Sequence, residues 1–448
     1  MIDTRQSHWS SCDYSRLANF REGLYRCFGN GKDAMMNLSD SLLTGSSTRS
    51  FAELSLSPAF TRKWSSLYEV FDDAKIDRKA LQSLFLKAIP ERSPGSRLIL
   101  AADATPIVRA ESETARDRTY VHVPNMPNGS KPVAPGWQFA TIVSLPENPS
   151  SRTTILDNRR IESGRTASEV VSDQLIELTP QLPKDAIVCL DGGFGNASFV
   201  AAAQSASIDK LMRTAKNRTL YRPKPEIVKK AGRGRPRLDG DRFSLKDPET
   251  HGPADKHATV TDENGNCIQI DCWHNLHFSK CRTANLTLIR VNRQNGVETK
   301  RNPRVIWLIW QGTDMPPLEQ IPQIYALRYC IEHSYRFDKQ NLLWTKPRLR
   351  TPEKFEIWTN IVAAVHNQIN LAYEYQQIYR MPWANPKAEA TPEQIRRGLE
   401  VIIAQLGTPA RPTQPRGKSP GRQNGAVIKK AERYKTIWKS KKKVKEAV

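Results

Sequence analysis

The chain has 448 residues, and its 68 Lys and Arg against 46 Asp and Glu leave a formal net charge of +22. With 38% hydrophobic residues and a mean hydropathy of −0.58, the composition is that of a soluble globular protein and excludes a disordered or membrane-embedded chain. The positive excess excludes an enzyme that avoids nucleic acid and favours a polyanionic partner, since each cation set on a phosphate releases a condensed counterion.

At roughly 150 residues per domain, this length suggests about three units or one large domain carrying insertions. Residues 1–92 read as a separate helical unit, with apolar periodicity over Tyr14–Cys27 and Lys63–Leu86 and breaks at Gly29–Gly31 and Thr44–Ser50. The start, Met1-Ile2-Asp3-Thr4-Arg5-Gln6, has no basic stretch leading into an apolar one, so a cytoplasmic chain is expected. Seven irregularly spaced cysteines agree with reduced thiols. After Ser93-Pro94-Gly95, the run Leu98–Asp103 has the length of a buried strand and ends in a carboxylate. Short strands follow at Thr119–Val123, Phe139–Leu145 and Thr153–Leu156. Thr166, with Glu169 three residues on, predicts a capped helix whose buried stripe is Val170, Val171, Leu175 and Leu178. Ala186–Asp191 is a second apolar strand ending in Asp. Gly192-Gly193, a helix at Asn196–Ser205 and a strand near Lys210–Arg213 come next.

Residues 219–316 turn basic and rich in Gly and Pro, then β-rich, with runs at Cys267–Phe278, Leu286–Val291 and Val305–Trp310. This segment reads as an insertion. Long helices are expected at Leu318–Leu343 and Pro352–Tyr379, and a shorter one at Pro392–Leu406. The remainder, with Pro409, Pro412, Pro415 and Pro420 among lysines and glycines, reads as a flexible basic tail. Charge is concentrated in two places. Arg213–Lys246 holds 12 cations against three acids, and Thr408–Val448 holds 13 against Glu432 and Glu446, so everything else is close to neutral.

Asp103 and Asp191 each end a buried strand, where a charge needs compensation. A lone Asp there caps a turn as readily as it does anything else. Two of them, followed by an acid on a later helix, offer the hard oxygen ligands that a divalent ion takes. Two such ions about 4 Å apart activate the attacking oxygen and stabilise the leaving one in phosphoryl displacement. The third acid is Glu332. On a helical wheel Tyr325, Arg328, Glu332 and Lys339 fall within an arc of about 60°, with Arg336 on the same face. A solvated face laced by Arg328–Glu332 pairing is the ordinary explanation of such a stripe. Against it, Ile324, Leu327, Ile331 and Phe337 give the helix an apolar side with which to dock.

The spacing Tyr325-x2-Arg328-x3-Glu332-x6-Lys339 resembles the YREK signature of the DDE transposases of bacterial insertion sequences. Asp191-Gly192-Gly193-Phe194 is similar to the second-aspartate motif of that family. The likeness, over about residues 95–380, is to the insertion sequence 4 and insertion sequence 701 families, and Phe20–Leu43 looks like the N-terminal region of the latter. The resemblance implies an α/β fold with an RNase H-like catalytic core, a mixed sheet flanked by helices, a β-rich insertion and a helical N-terminal region. The expected units are a DNA-binding region at 1–92, the first part of the core at 93–218, the basic insertion at 219–316, the C-terminal core helices at 317–407 and the tail at 408–448.

Carried over by position, the resemblance makes Asp103, Asp191 and Glu332 the catalytic metal-binding triad for two Mg²⁺ ions, with Mn²⁺ able to substitute. Tyr325, Arg328 and Lys339 inherit contacts to DNA near the transposon end; Arg336, from the wheel, and Arg213, from the basic cluster, are added to them. The activity implied is phosphodiester hydrolysis at transposon ends, followed by 3′-OH strand transfer into target double-stranded DNA. A homodimer in a synaptic complex, at the bacterial nucleoid and away from membranes, is expected to perform it. The rivals are a catalytically inactive or domesticated DNA-binding protein of the same fold and a stand-alone metal-dependent nuclease. Intact carboxylates disfavour the first and the stripe disfavours the second.

Other signals are weaker. Arg233-Gly234-Arg235-Pro236 is the core of an AT-hook, although a basic loop on phosphates is the plainer reading. Trp273, Trp307 and Trp310 are candidates for stacking a flipped base, against buried strand packing as the commoner role. Cys267, Cys272, His274, His277 and Cys281 lack a CxxC pair, so reduced core or surface residues are expected rather than zinc ligands. Tyr434 and Trp438, interleaved with the tail cations, favour nonspecific DNA binding.

Overall fold

The computed structural model describes residues 14–123, 132–224, 237–262, 265–295, 303–375 and 389–414, with shorter stretches that include 430–439. Its central sheet grows from strand β1 (Ile99–Val108). The long β3 (Val133–Ser144) runs antiparallel beside it, and the far edge of β3 is shared by β2 (Thr119–His122) and β4 (Thr154–Ile161). On the other side come β5 (Ile187–Gly195) and β6 (Asp209–Thr214), successive and parallel to β1. Between β4 and β6 the chain crosses through α5 (Ala167–Leu178) and α6 (Ala197–Ala202). Thr166 and Glu169 cap α5 reciprocally, as their spacing predicts. The order β4-β3-β1-β5-β6, with only β3 reversed, is consistent with an RNase H-like fold.

The sheet does not stop at β6. β12 (Val305–Gln311) pairs antiparallel with it, and β11 (Cys281–Arg293) and β10 (Cys267–Phe278) follow. Beyond these lie β7 (Thr219–Tyr221), β8 (Arg242–Ser244) and β9 (Lys256–Thr261), making twelve strands among the described residues. The β-rich segment is thus a lateral extension of the central sheet. Its Phe243, Trp273 and Trp307 belong to the same apolar layer as Leu175 and Phe199 of α5 and α6.

The opposite face is covered by helices α1 (Ser15–Cys27), α2 (Lys32–Thr44), α3 (Ser66–Asp73), α4 (Arg78–Lys87), α7 (Ile321–Leu327), α8 (Cys330–Gln340), α9 (Pro352–Leu371) and α10 (Pro392–Leu406). Helix α9 is buried on nearly all sides and touches α1, α2, α3, α10 and β4. The N-terminal helices therefore do not stand apart as the sequence suggests: Leu17, Leu24 and Leu42 share one core with Trp358 of α9 and Leu399 of α10. An apolar stripe shows that a helix docks, and is silent about its partner. The described end of the tail is also held rather than free. Tyr434 N–H donates to Glu113 O and Ile437 N–H to Arg118 O, both at 2.8 Å, and Trp438 stacks on Tyr120 with ring centroids 3.9 Å apart. The open edge of β2 presents the unpaired backbone groups that capture it. Among the described residues, no helix is long and apolar enough to cross a membrane.

One buried ion pair fastens the N-terminal helices. Arg21 donates to Asp40 (2.8 Å) and Gln368 (3.0 Å), and to the carbonyl of Gly407 (3.0 Å), linking α1 to α2, α9 and the end of α10. Both charges are almost wholly buried, so removing one strands the other. Asp40→Ala should cost about 3–5 kcal/mol in denaturant unfolding, and Arg21→Met/Asp40→Leu should recover most of it. A double variant no better than the single would show that the charges themselves are required.

Candidate active site

Strand alternation decides where the two aspartates point. Ala101 and Cys189 face the helical layer that holds α7–α9, whereas Ala102 and Leu190 face the layer of α5 and α6. The parallel rungs run as far as Ala102–Leu190. Asp103 and Asp191 are the next residues on their strands, so both turn toward the helical layer. There β5 leaves the ladder: Asp191–Phe194 bulge opposite Arg213 before Gly195 pairs with Thr214. Gly195 has no alternative, because a Cβ would stand 2.0 Å from the Arg213 carbonyl oxygen. Gly193 N–H donates to Asp191 Oδ1 (2.8 Å), and the Asn196 side chain caps α6.

The stripe expected on one helix over Leu318–Leu343 is instead carried by two. α7 and α8 meet through Arg328-Tyr329, where bonds tighten to i→i−3: Arg328 N–H to Tyr325 O (3.2 Å), Ile331 N–H to Arg328 O (3.2 Å) and Glu332 N–H to Tyr329 O (3.0 Å). Three residues per turn eclipse positions i and i+3. Tyr325 therefore lies beneath Arg328, whose guanidinium is 5.9 Å from its ring centroid, and is carried to the buried side. The rest of α8 is anchored. Asp338 Oδ1 meets His366 Nδ1 of α9 at 2.7 Å, and Ser334 meets Thr153 at 2.5 Å. Tyr335 donates its hydroxyl to Asp103 O (3.0 Å), and Lys339 Nζ donates to Thr105 Oγ1 (2.6 Å) and Pro106 O (3.1 Å).

These contacts make one electrostatic cluster. Burial, then the charge of Asp191, push the Asp103 carboxyl up to about 7; Glu332 adds to the rise and Arg328 opposes it. Burial works to lower the Arg328 guanidinium, but Tyr325, Asp103 and Glu332 together hold it raised. Its Nη2 donates to Glu332 Oε1 at 3.1 Å. Burial also pushes the Tyr325 hydroxyl up to about 12 and the Lys339 ammonium down to about 8. Tyr325 Oη and Arg328 Nε are buried without a hydrogen-bond partner.

The three carboxylates are hard oxygen donors of the kind Mg²⁺ takes, but they do not close into a cage. Among the described residues, no group of three or more His, Cys, Asp or Glu side chains stands close enough to hold a metal ion. Glu332 is engaged by Arg328 instead. Arg213 faces the Asp191 bulge, and its charge reaches Tyr325. Arg336 is exposed and forms no ion pair with a described residue. Arg233 and Arg235, with the AT-hook segment, lie outside the described residues. Trp273, Trp307 and Trp310 are all buried in the sheet layers. Cys272 and His274 approach to 3.6 Å without a third ligand. Sequence reasoning missed Tyr335 and Thr105. Both carried a signal: Tyr335 lies about 20° from Arg328 on the wheel, and Thr105 shares the face of Asp103 two residues on.

The two strands do not end at their aspartates, as the apolar runs suggest, but continue to Val108 and Gly195, since β3 pairs with β1 beyond Asp103 and β6 regains β5 at Gly195. An α/β protein with acidic side chains on one face of neighbouring parallel strands is the class that these features define. Residues 23–266 match the model of the DDE superfamily endonuclease family, and the chain belongs to that family. The match contains Asp103 and Asp191 and ends before the Tyr325–Lys339 stripe. No curated protein matches the chain.

Asp103 ionises more reluctantly in the fold than in an unfolded chain, where an Asp titrates near about 3.9. The stability it contributes is therefore full below about pH 4 and is lost as pH rises through about 7. In thermal melts Asp103→Asn should unfold at a higher temperature than the unmutated protein above pH 7 and show no advantage below about pH 4. A variant less stable across the whole range would contradict the electrostatic picture.

Proposed function

We propose that the protein is a DDE transposase of the YREK type, which cuts phosphodiesters at transposon ends and joins the freed 3′-OH to target DNA. The observation that carries this reading is the meeting of Asp103 and Asp191 with the α7–α8 stripe on one sheet face, since Asp103 feels Asp191, Arg328 and Glu332 together. In this reading residues 93–218 and 317–407 form an RNase H-like core, while 1–92, 219–316 and 408–448 add DNA contacts. Two copies act on paired ends at the bacterial nucleoid.

Asp103, Asp191 and Glu332 would hold the divalent ions, two Mg²⁺ or Mn²⁺, which when bound supply the Lewis acidity that phosphoryl displacement needs. Closing that set asks Glu332, whose side chain is 41% exposed, to leave Arg328. The released guanidinium, with Nε already unpartnered, then offers its donors to a phosphate oxygen. Tyr325, protonated at neutral pH, donates beside it. Lys339 keeps a cation next to the strand that carries Asp103, and Arg213 and Arg336 extend the basic surface on either side. Arg233 and Arg235 would add cations for phosphates or a narrow minor groove. The family description names an endonuclease, which keeps a nuclease that cuts without joining as the second reading.

The test incubates the full chain and Mg²⁺ with a labelled donor DNA that carries the flanking repeats. Cleaved and joined products are expected. Asp103→Ala, Asp191→Ala and Glu332→Ala should each lower cleavage on the order of a thousandfold or more, with DNA binding retained. Undiminished cleavage by Asp191→Ala would overturn the site, and cleavage without joining would favour the nuclease.

A further inference from the structure

Arg109 follows β1 directly, six residues beyond Asp103, and is 6% exposed. Its Nη1 donates to Thr345 O (3.1 Å), while Nε and Nη2 are buried without a partner. The guanidinium lies 4.4 Å from the Phe355 ring centroid and 5.8 Å from that of Trp137. No described carboxylate offsets its charge. The one charged neighbour that acts on it is Arg348, a like charge. A buried guanidinium without a counter-charge is a costly thing for a fold to keep.

Thr345 lies within the connector between α8 and α9. Leu343 turns the chain into it at a φ of 56°, a conformation that a bulky residue keeps only where packing holds it. Along the connector Trp344 and Leu349 are buried, whereas Lys346, Arg348 and Arg350 are exposed. Lys346 and Arg350 form no ion pair with a described residue. Arg348 reaches Glu111 at 3.6 Å, but both side chains are more than four-fifths exposed and such a pair contributes little.

We propose that Arg109 and the Lys346-Arg348-Arg350 connector form a strip that binds the phosphate backbone of duplex DNA to one side of the carboxylates. The proposal rests on the transposase reading for its partner, and deepens it by fixing the direction in which the duplex leaves the site. Lys339, held at Thr105 and Pro106, makes the cations continuous between the two. At about 3.3 Å per residue, Asp103 to Arg109 spans roughly 20 Å, the axial length of about six base pairs. The exposed cations take the phosphates. Arg109 lies beneath them with its charge uncompensated, and low dielectric keeps that charge strong. The free protein carries the cost, and the complex relieves it.

Equilibrium binding of the full chain to a labelled DNA duplex, in EDTA and over a series of salt concentrations, tests this without chemistry. Lys346→Ala, Arg348→Ala and Arg350→Ala should each flatten the dependence of log K on log salt by about 0.9, and the triple variant by about 2.7. Lys184→Ala, exposed before the opposite end of β5, should leave it unchanged. Arg109→Met should bind several-fold more weakly while melting no lower than the unmutated protein. An unchanged slope in the triple variant overturns the strip. An Arg109→Met protein that melts lower and binds normally makes Arg109 a strut for the connector and overturns its part. If the triple variant is inert but DNA still binds, the transposase reading survives; if the unmutated protein binds no DNA, that reading falls as well.

Discussion

The parallel pairing of β1 with β5 is the constraint on which the candidate site depends. Successive side chains on a strand point to opposite faces, so Asp103 and Asp191 share a face only while Ala102 stays opposite Leu190. A slip of one residue would drive one aspartate into the apolar layer of Leu175 and Phe199. The apolar residues before each aspartate resist that slip, because on both strands each belongs to one layer or the other. Antiparallel β3 completes the surroundings by setting Thr141 opposite Asp103. The glycines after Asp191 then let β5 bulge away from β6, which frees the carboxylate from the ladder without breaking the sheet.

The helical layer adds a second constraint, which is one of charge. Two carboxylates on adjacent strands repel, and that repulsion adds to burial in raising the Asp103 carboxyl. Arg328 offsets it from a helix turn tightened enough to lay the guanidinium over Tyr325 and against Glu332. The ordinary explanation of the stripe, an i,i+4 ion pair on a helix face, and the functional one thus occupy the same residues. What separates them is burial. Arg328 is mostly buried and senses Asp103, whereas a solvated pair would sense only itself.

Most strand positions and the α5 cap were legible in the sequence because each follows from local chemistry: apolar runs and a Thr–Glu spacing. The two strands expected to end at Asp103 and Asp191 instead run on to Val108 and Gly195, because the chain beyond each aspartate pairs again, with β3 in one case and with β6 in the other. The break between α7 and α8 was not, since Arg328-Tyr329 contains neither Pro nor Gly and the tightening comes from packing. Nor was the shared core of α1, α2, α9 and α10, which depends on partners more than 300 residues apart, as with Arg21 and Gln368. The docked tail end was hidden by composition: lysines and prolines read as linker, while Tyr434, Ile437 and Trp438 supply the contacts. At the site, the face of each aspartate could be read from alternation. The engagement of Glu332 by Arg328, in place of the other two carboxylates, could not.

The charges along β1 are arranged with a polarity that net charge conceals. At Asp103 burial and like charge favour the neutral acid; at Lys339 burial lowers the cation, and at Arg109 burial and Arg348 lower it too, to about 10. Each group is thus less comfortable charged than it would be in water, and the sign changes between Asp103 at mid-strand and Arg109 just past the C-terminal end. A fold selected for stability alone would pair these groups or replace them with apolar residues. A ligand that brings positive charge to Asp103 and negative charge to Lys339 and Arg109 relieves all three at once. Nucleic acid accompanied by divalent cations has that distribution. The strand that sets the geometry of the candidate site also carries the electrostatic demand that such a ligand would satisfy.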